Sequence, residues 1–318
     1  MSSVVKAFIG FSLTMGVVLV LALTFIGNFE EENLIPVDKD SYSYWKSNGA
    51  ELNRYELDQV RYGEHRKGQA VMIFVTEPFL PVSQVKYEGK RNGEKIQEVL
   101  KLNFQKNFYT GIYPYSIMTS VFTPFASNPK YSYKVTTSSQ DWCGHSFIQL
   151  NNRGFGYDAK VFSYFQDPGD SEFNIKQALL EDEVWNMIRL NYKNLPVGDI
   201  EVIPSTQYFR LMHIELDTYA AEASLTTIKN EKYSDSEIFD YSIKYKNIER
   251  EFHYYFSKEK PHKILGWEET YLPLQFTGIK EPMTTSAVLK KSMMLDYWNK
   301  NKNSDGFLRK EFGTFEID

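Results

Sequence analysis

One cysteine, Cys143, occurs in 318 residues, so no disulfide within the chain can brace the fold, which must rest on its own core even in an oxidising compartment. No cysteine stands just after the apolar N-terminal run either, which removes lipid attachment at a lipobox. Basic residues are not in excess: 36 Lys and Arg stand against 41 Asp and Glu, a net charge of −5, and nothing supplies the clustered cations that offset phosphate charge. Nucleic acid is therefore excluded as a partner. The nearest approaches to metal spacing, "GEH" at residues 63–65 and "HIE" at 213–215, match no zinc pattern. No metal and no cofactor is expected. Repeats of fixed period and long linkers are missing too, so nothing divides the body into two domains.

What the chain does have in quantity is aromatic residues, 22 Tyr and 23 Phe among them, and such rings pack well on a pleated surface. The other conspicuous feature is the uncharged run from Ala7 to Gly27, preceded by Lys6 and followed by Glu30, Glu31 and Glu32. Its length matches the roughly 20 residues that a helix needs to cross a bilayer and exceeds a signal-peptide core. Phe25 would occupy the −3 position of a cleavage after Gly27, so the run is expected to remain as an anchor. With positive charge before the span and acids after it, the positive-inside rule leaves the body outside the cytoplasm. The sequence thus predicts an inner-membrane, single-pass protein with its body in the periplasm: an anchor over 1–29, a short linker over 30–43, and one β-rich domain over 44–318.

Period-two alternation predicts strands. In 99–105 Leu100, Leu102 and Phe104 oppose Lys101, Asn103 and Gln105; in 239–245 Phe239, Tyr241, Ile243 and Tyr245 oppose Asp240, Ser242 and Lys244. The runs 70–75 and 161–165 are apolar on both faces and are expected under other structure. Polar turns rather than repeated helices separate the strands, which indicates an antiparallel meander. The clearest helical pattern covers 175–196 and stops at Pro196, with Glu181, Asp182 and Glu183 expected in solvent near its start. The fold class that follows is mainly β: a large curved antiparallel sheet or incompletely closed barrel with one or two capping helices. A concave sheet of this kind is a place for an apolar or amphiphilic ligand.

The stretch "TTSSQDWCGHSF", 136–147, offers the candidate chemistry. A thiol-dependent hydrolase or acyltransferase would need Cys143 ionised, His145 as its base and Asp141, Gln140 or His213 to orient the imidazole. Residues two apart on a strand lie roughly 7 Å apart, so contact between Cys143 and His145 requires a bend, which Gly144 permits. A buried structural thiol is the other reading, and the one preferred, with an enzyme the alternative. Thr137, Ser139, Gln140 and Trp142 could contact a ligand head group, or simply finish a strand before a turn begun by Asp141.

The stretches "YELDQVRYGEHRKGQAVMIFVTEPF", "GIYPYSIMTSVFTP" and "TTSSQDWCGHSF" resemble an uncharacterised family of Gram-negative envelope proteins, many of them predicted lipoproteins, over about Tyr44 to Trp298. Some of its members carry the automated label "septum formation inhibitor Maf", but the glycine-bearing phosphate loop and alternating strand–helix order of true Maf pyrophosphatases are missing here. The resemblance implies an envelope location and a fold type, with no activity. Residues 250–269, "REFHYYFSKEKPHKILGWEE", are similar to hairpins in the curved sheets of periplasmic lipoprotein carriers. A lipid or other apolar ligand is the partner this implies; a protein partner stays unknown.

Overall fold

The computed structural model describes residues 36–47, 49–90, 93–125 and 130–314, which belong to one compact unit. The expected anchor lies outside the described residues, and among those described no helix is long and apolar enough to cross a membrane. Helix α1 (Lys39–Ser47) begins within the stretch expected as linker.

Alternation produces the strands as expected. In chain order they are β1 (Ala50–Arg61), β2 (Glu64–Leu80), β3 (Val85–Lys86), β4 (Gln97–Thr110), β5 (Tyr113–Pro124), β6 (Lys134–Asp141), β7 (Gly144–Asn152), β8 (Gly156–Ser163) and β9 (Ser171–Lys176). After them come β10 (Leu179–Leu180), helix α2 (Val184–Asn191), β11 (Gly198–Ile203), helix α3 (Thr206–Met212), β12 (Tyr219–Asn230), β13 (Ser234–Tyr245), β14 (Arg250–Ser257), β15 (Ile264–Tyr271), β16 (Met283–Leu295) and helix α4 (Phe307–Phe312).

All strands join one 16-stranded sheet, in the order β10-β11-β12-β13-β14-β15-β16-β1-β2-β4-β5-β6-β7-β8-β9 with β3 beside β2. The last long strand returns to the first, with Leu57 opposite Ala287. The meander is antiparallel except at β10 and β11, which run parallel, so the sheet is mixed. Its two ends, β9 and β10, are sequence neighbours separated only by Gln177 and Ala178 and do not pair, so the sheet stays unclosed.

Inward residues of nearly every strand share one core. Tyr55, Phe74, Leu102, Ile117, Leu150, Tyr241, Tyr254 and Trp267 belong to it, together with Trp185 and Ile188 of α2 and Phe209 of α3. Both helices are buried on almost all sides, because they fill the concave side of the sheet instead of lying on its surface. The helix expected over 175–196 is corrected to the shorter α2. Leu179 and Leu180 are drawn into the parallel bridge with Val202 and Ile203, and the three acids after them take a 3₁₀ turn.

Of the two runs expected under cover, only one is covered. Val71 and Val75 pack beneath Phe312 of α4 on the outer face. In the other, Phe162 and Tyr164 point outward and are 48% and 76% exposed.

Candidate functional site

Strand register decides where Cys143 lies. Asp141 pairs with Gly144, so Trp142 and Cys143 are the two residues of a tight hairpin turn between β6 and β7. Asp141 Oδ1 accepts the Cys143 N–H at 2.6 Å, and Asp141 Oδ2 lies 3.5 Å from Arg210 Nη2 of α3. The carboxylate fixes the turn and ties it to the interior helix. Gly144 is required by close approach: a Cβ there would stand 2.7 Å from Cδ1 of Tyr164.

Cys143 is exposed, which corrects the expectation of a buried thiol. Desolvation in the turn, then the Asp141 carboxylate, push the thiol pKa up, the wrong direction for a nucleophile at neutral pH. His145 is exposed and its backbone lies opposite Gln140; the thiol and the imidazole share no hydrogen bond. His213 Nδ1 donates to the Asp167 carbonyl at 3.3 Å. Because the turn residue is exposed, Cys143→Ser should change stability only within the small range of surface substitutions, about 0.5 kcal/mol. A thiol reagent should label the native protein no faster than a free model thiol; rapid labelling abolished by His145→Ala would contradict this.

Strand alternation also divides the proposed head-group contacts. Thr137 and Ser139 point inward and are buried, whereas Gln140 and Trp142 are exposed. Thr137 belongs to a chain of buried hydroxyls: its Oγ1 lies 2.7 Å from Thr119 Oγ1 and 2.6 Å from Thr206 Oγ1, and Thr119 accepts from Gln207 Nε2 at 3.0 Å. These atoms dock α3 against the wall.

The largest departure from expectation is in the interior. Glu181, Asp182 and Glu183, expected in solvent, are all buried, and each grips a different element. Glu181 accepts Arg250 of β14 and the Tyr245 hydroxyl. Asp182 Oδ2 accepts the Thr206 N–H at 2.9 Å and its hydroxyl at 2.7 Å, at the start of α3. Glu183 accepts the N–H groups of Ser132 at 2.5 Å and Leu180 at 3.0 Å. Arg250 also donates to Glu269 at 2.8 Å, and Arg189 of α2 makes a two-pronged pair with Glu51 of β1 at 2.5 and 2.8 Å.

Between these groups lies an enclosed cavity of about 20 Å³, lined among others by Lys106, Asp182, Gln207 and Glu269. It has room for about one water. Burial pushes the Lys106 ammonium pKa down, and Gln207 Oε1 is buried with no partner in the protein. This cavity is too small for an apolar or amphiphilic ligand.

No protein-family model matches this sequence, and no curated protein matches it. Among solved structures it is similar to a β-barrel-like protein of domain of unknown function DUF1849 from Brucella abortus, at 8% identity and a TM-score of 0.44, over 78% of this chain and 97% of that one.

The buried acids give a pH dependence with a definite sign. Burial pushes Asp182 up to about 6, against its Thr206 hydrogen bonds, and Glu183 up to about 7. Both folded values exceed the unfolded ones, near 4, so the native state binds these protons more tightly and their contribution is lost as pH rises through 6 and 7. Glu51 behaves oppositely: burial raises it, but Arg189 outweighs burial and holds it at about 2. Its contribution is present above the usual carboxylate range and disappears as pH falls towards 2. The melting temperature should therefore fall between about pH 4 and 7, and the fall should shrink in Asp182→Asn.

Proposed function

We propose that this chain is an extracytoplasmic envelope protein, held at the inner membrane by residues 7–27, that acts by binding an apolar or amphiphilic ligand or an envelope partner. The binding face is the outer wall of β5–β8. The observation that carries this reading is an open groove of about 540 Å³ beside the Trp142–Cys143 turn, with Phe147, Phe162 and Tyr164 presented among Ser138, Gln140 and His145. Phe147 and Phe162 are cross-strand neighbours, and Ser138 lies on the far side of Phe147. The volume falls within the range of small-molecule sites, about 300–1,000 Å³, and aromatic surface beside a few polar groups suits an amphiphile.

The alternative, a thiol-dependent hydrolase or acyltransferase, draws support from Cys143 and His145 lining the same groove. Asp141 is engaged with the turn amide and Arg210, and the thiol pKa is raised, so binding is the better-supported function. Native mass spectrometry of the detergent-extracted full chain should show a co-purifying lipid. Phe147→Ser with Phe162→Ser should release it at nearly unchanged stability, since both rings are partly exposed. A lipid-free wild type, or a lipid retained by the double variant, would count against the groove.

A further inference from the structure

Charge is distributed unevenly around the sheet. The outer wall through β12–β16 and β1 is laced with ion pairs, such as Lys290 with Glu56 at 3.2 Å, Lys258 with Glu237 at 3.0 Å and Lys232 with Glu268 at 2.7 Å. The hairpin β4–β5 contrasts with it: from Asn107 to Pro124 no residue is charged. In the next hairpin the only acid between Val135 and Leu150 is Asp141, which is buried and faces Arg210. Residues 161–166 carry no charge either.

These segments meet at one end of the sheet. The β4–β5, β6–β7 and β8–β9 connections all lie at the end where β1 finishes, opposite the end where α1 leads into β1. Their tips carry large apolar side chains facing water: Ile112 is 79% exposed, Trp142 69% and Tyr164 76%, with Tyr109 beside them. Tyr113 stacks on Trp142 at 6.3 Å between ring centroids, joining two tips into one patch. Met118, Phe147 and Phe162 continue it down the wall along one cross-strand row. On the β4–β5 and β6–β7 tips the polar residues between are Ser, Thr, Asn, Gln and His145, with no exposed cation or carboxylate, whereas the β8–β9 connection carries the exposed Asp167 and Asp170 behind Tyr164.

We infer that the two uncharged tips joined by Tyr113 and Trp142 insert into the interfacial layer of a zwitterionic lipid bilayer. Trp and Tyr favour that layer because their rings are apolar with one polar edge, and the β4–β5 and β6–β7 tips have no exposed charge to desolvate on entry. The side chains stand on separate convex tips, a shape that suits a fluid surface better than the complementary face of a folded partner. The inference rests on the membrane location proposed above.

Cys143, alone of its kind and adjacent to Trp142, supplies the test. The full chain would be labelled there with a polarity-sensitive thiol dye and placed in phosphatidylcholine nanodiscs, then in a lipid-free amphiphilic polymer with phosphatidylcholine vesicles added. A blue shift with loss of most iodide quenching is expected in at least one arm, and its loss in Ile112→Asp but not in Ile112→Leu. Shielding in nanodiscs points to the anchoring bilayer, and shielding only with added vesicles to an opposing one. Equal quenching with and without lipid in both arms would overturn the inference, as would shielding in polymer alone, which would mark contact between copies of the chain. Co-elution with nanodiscs reports the anchor separately, and the vesicle arm reads the tips even if the anchor fails.

Discussion

Replacing Arg250 by leucine should cost about 3–5 kcal/mol, because it leaves the Glu181 and Glu269 carboxylates buried without their cation. Arg250 is fully enclosed, donates to both acids and lies over the Tyr208 ring at 4.0 Å. It therefore joins β14, β15, α3 and the 3₁₀ turn after β10 in one network. Against a typical total stability of about 5–15 kcal/mol, that loss should appear as a large drop in the urea midpoint. A second replacement, Glu181→Leu, should recover part of it, since an apolar pair of similar volume avoids the unpaired charge. A midpoint that does not move in Arg250→Leu would mean that the acids are solvated.

Trp185→Ala should be comparably damaging, about 3–5 kcal/mol, by emptying space that the surroundings cannot collapse into. The ring sits at the centre of an aromatic cluster, 4.5 Å from Tyr254, 5.5 Å from Trp267, 5.6 Å from Phe104 and 5.7 Å from Phe252. Those partners come from β4, β14 and β15, so one side chain on α2 holds strands that are distant in sequence. Thermal unfolding checks the expectation. A small loss, under about 1 kcal/mol, would place α2 on the surface.

The strands were legible because period two is unaffected by what covers them. Leu100, Leu102 and Phe104 face the core, as their alternation requires. The hairpin over 250–269, implied by the similarity to carrier hairpins, is formed by β14 and β15. The interior helices were harder, since α2 and α3 carry Asn186, Arg189, Gln207 and Arg210 into the core, where polarity is normally a sign of solvent. One signal was present. Three consecutive acids spread over more than half the circumference of a helix, so Glu181, Asp182 and Glu183 could not all face water beside Leu180 and Val184.

The candidate site shows a similar division. Asp141 as the start of a turn was legible from its residue type, and the structure places it there. The partition of Thr137 and Ser139 from Gln140 and Trp142 was implicit in the strand period. The exposure of Phe162 and Tyr164 was not, because a run such as "VFSYF" looks the same whether its outer rings are covered by a neighbouring element or left open to a ligand.

The proposed binding face is the outer wall of β5–β8 and not the small cavity beside Lys106. Photo-crosslinking of the full chain with a lipid bearing a diazirine in its acyl chain, followed by peptide mapping, tests this directly. Adducts concentrated on the segments holding Met118, Phe147 and Phe162 are the predicted result. Adducts on α2, α3 or the strand faces that enclose Lys106 would contradict it.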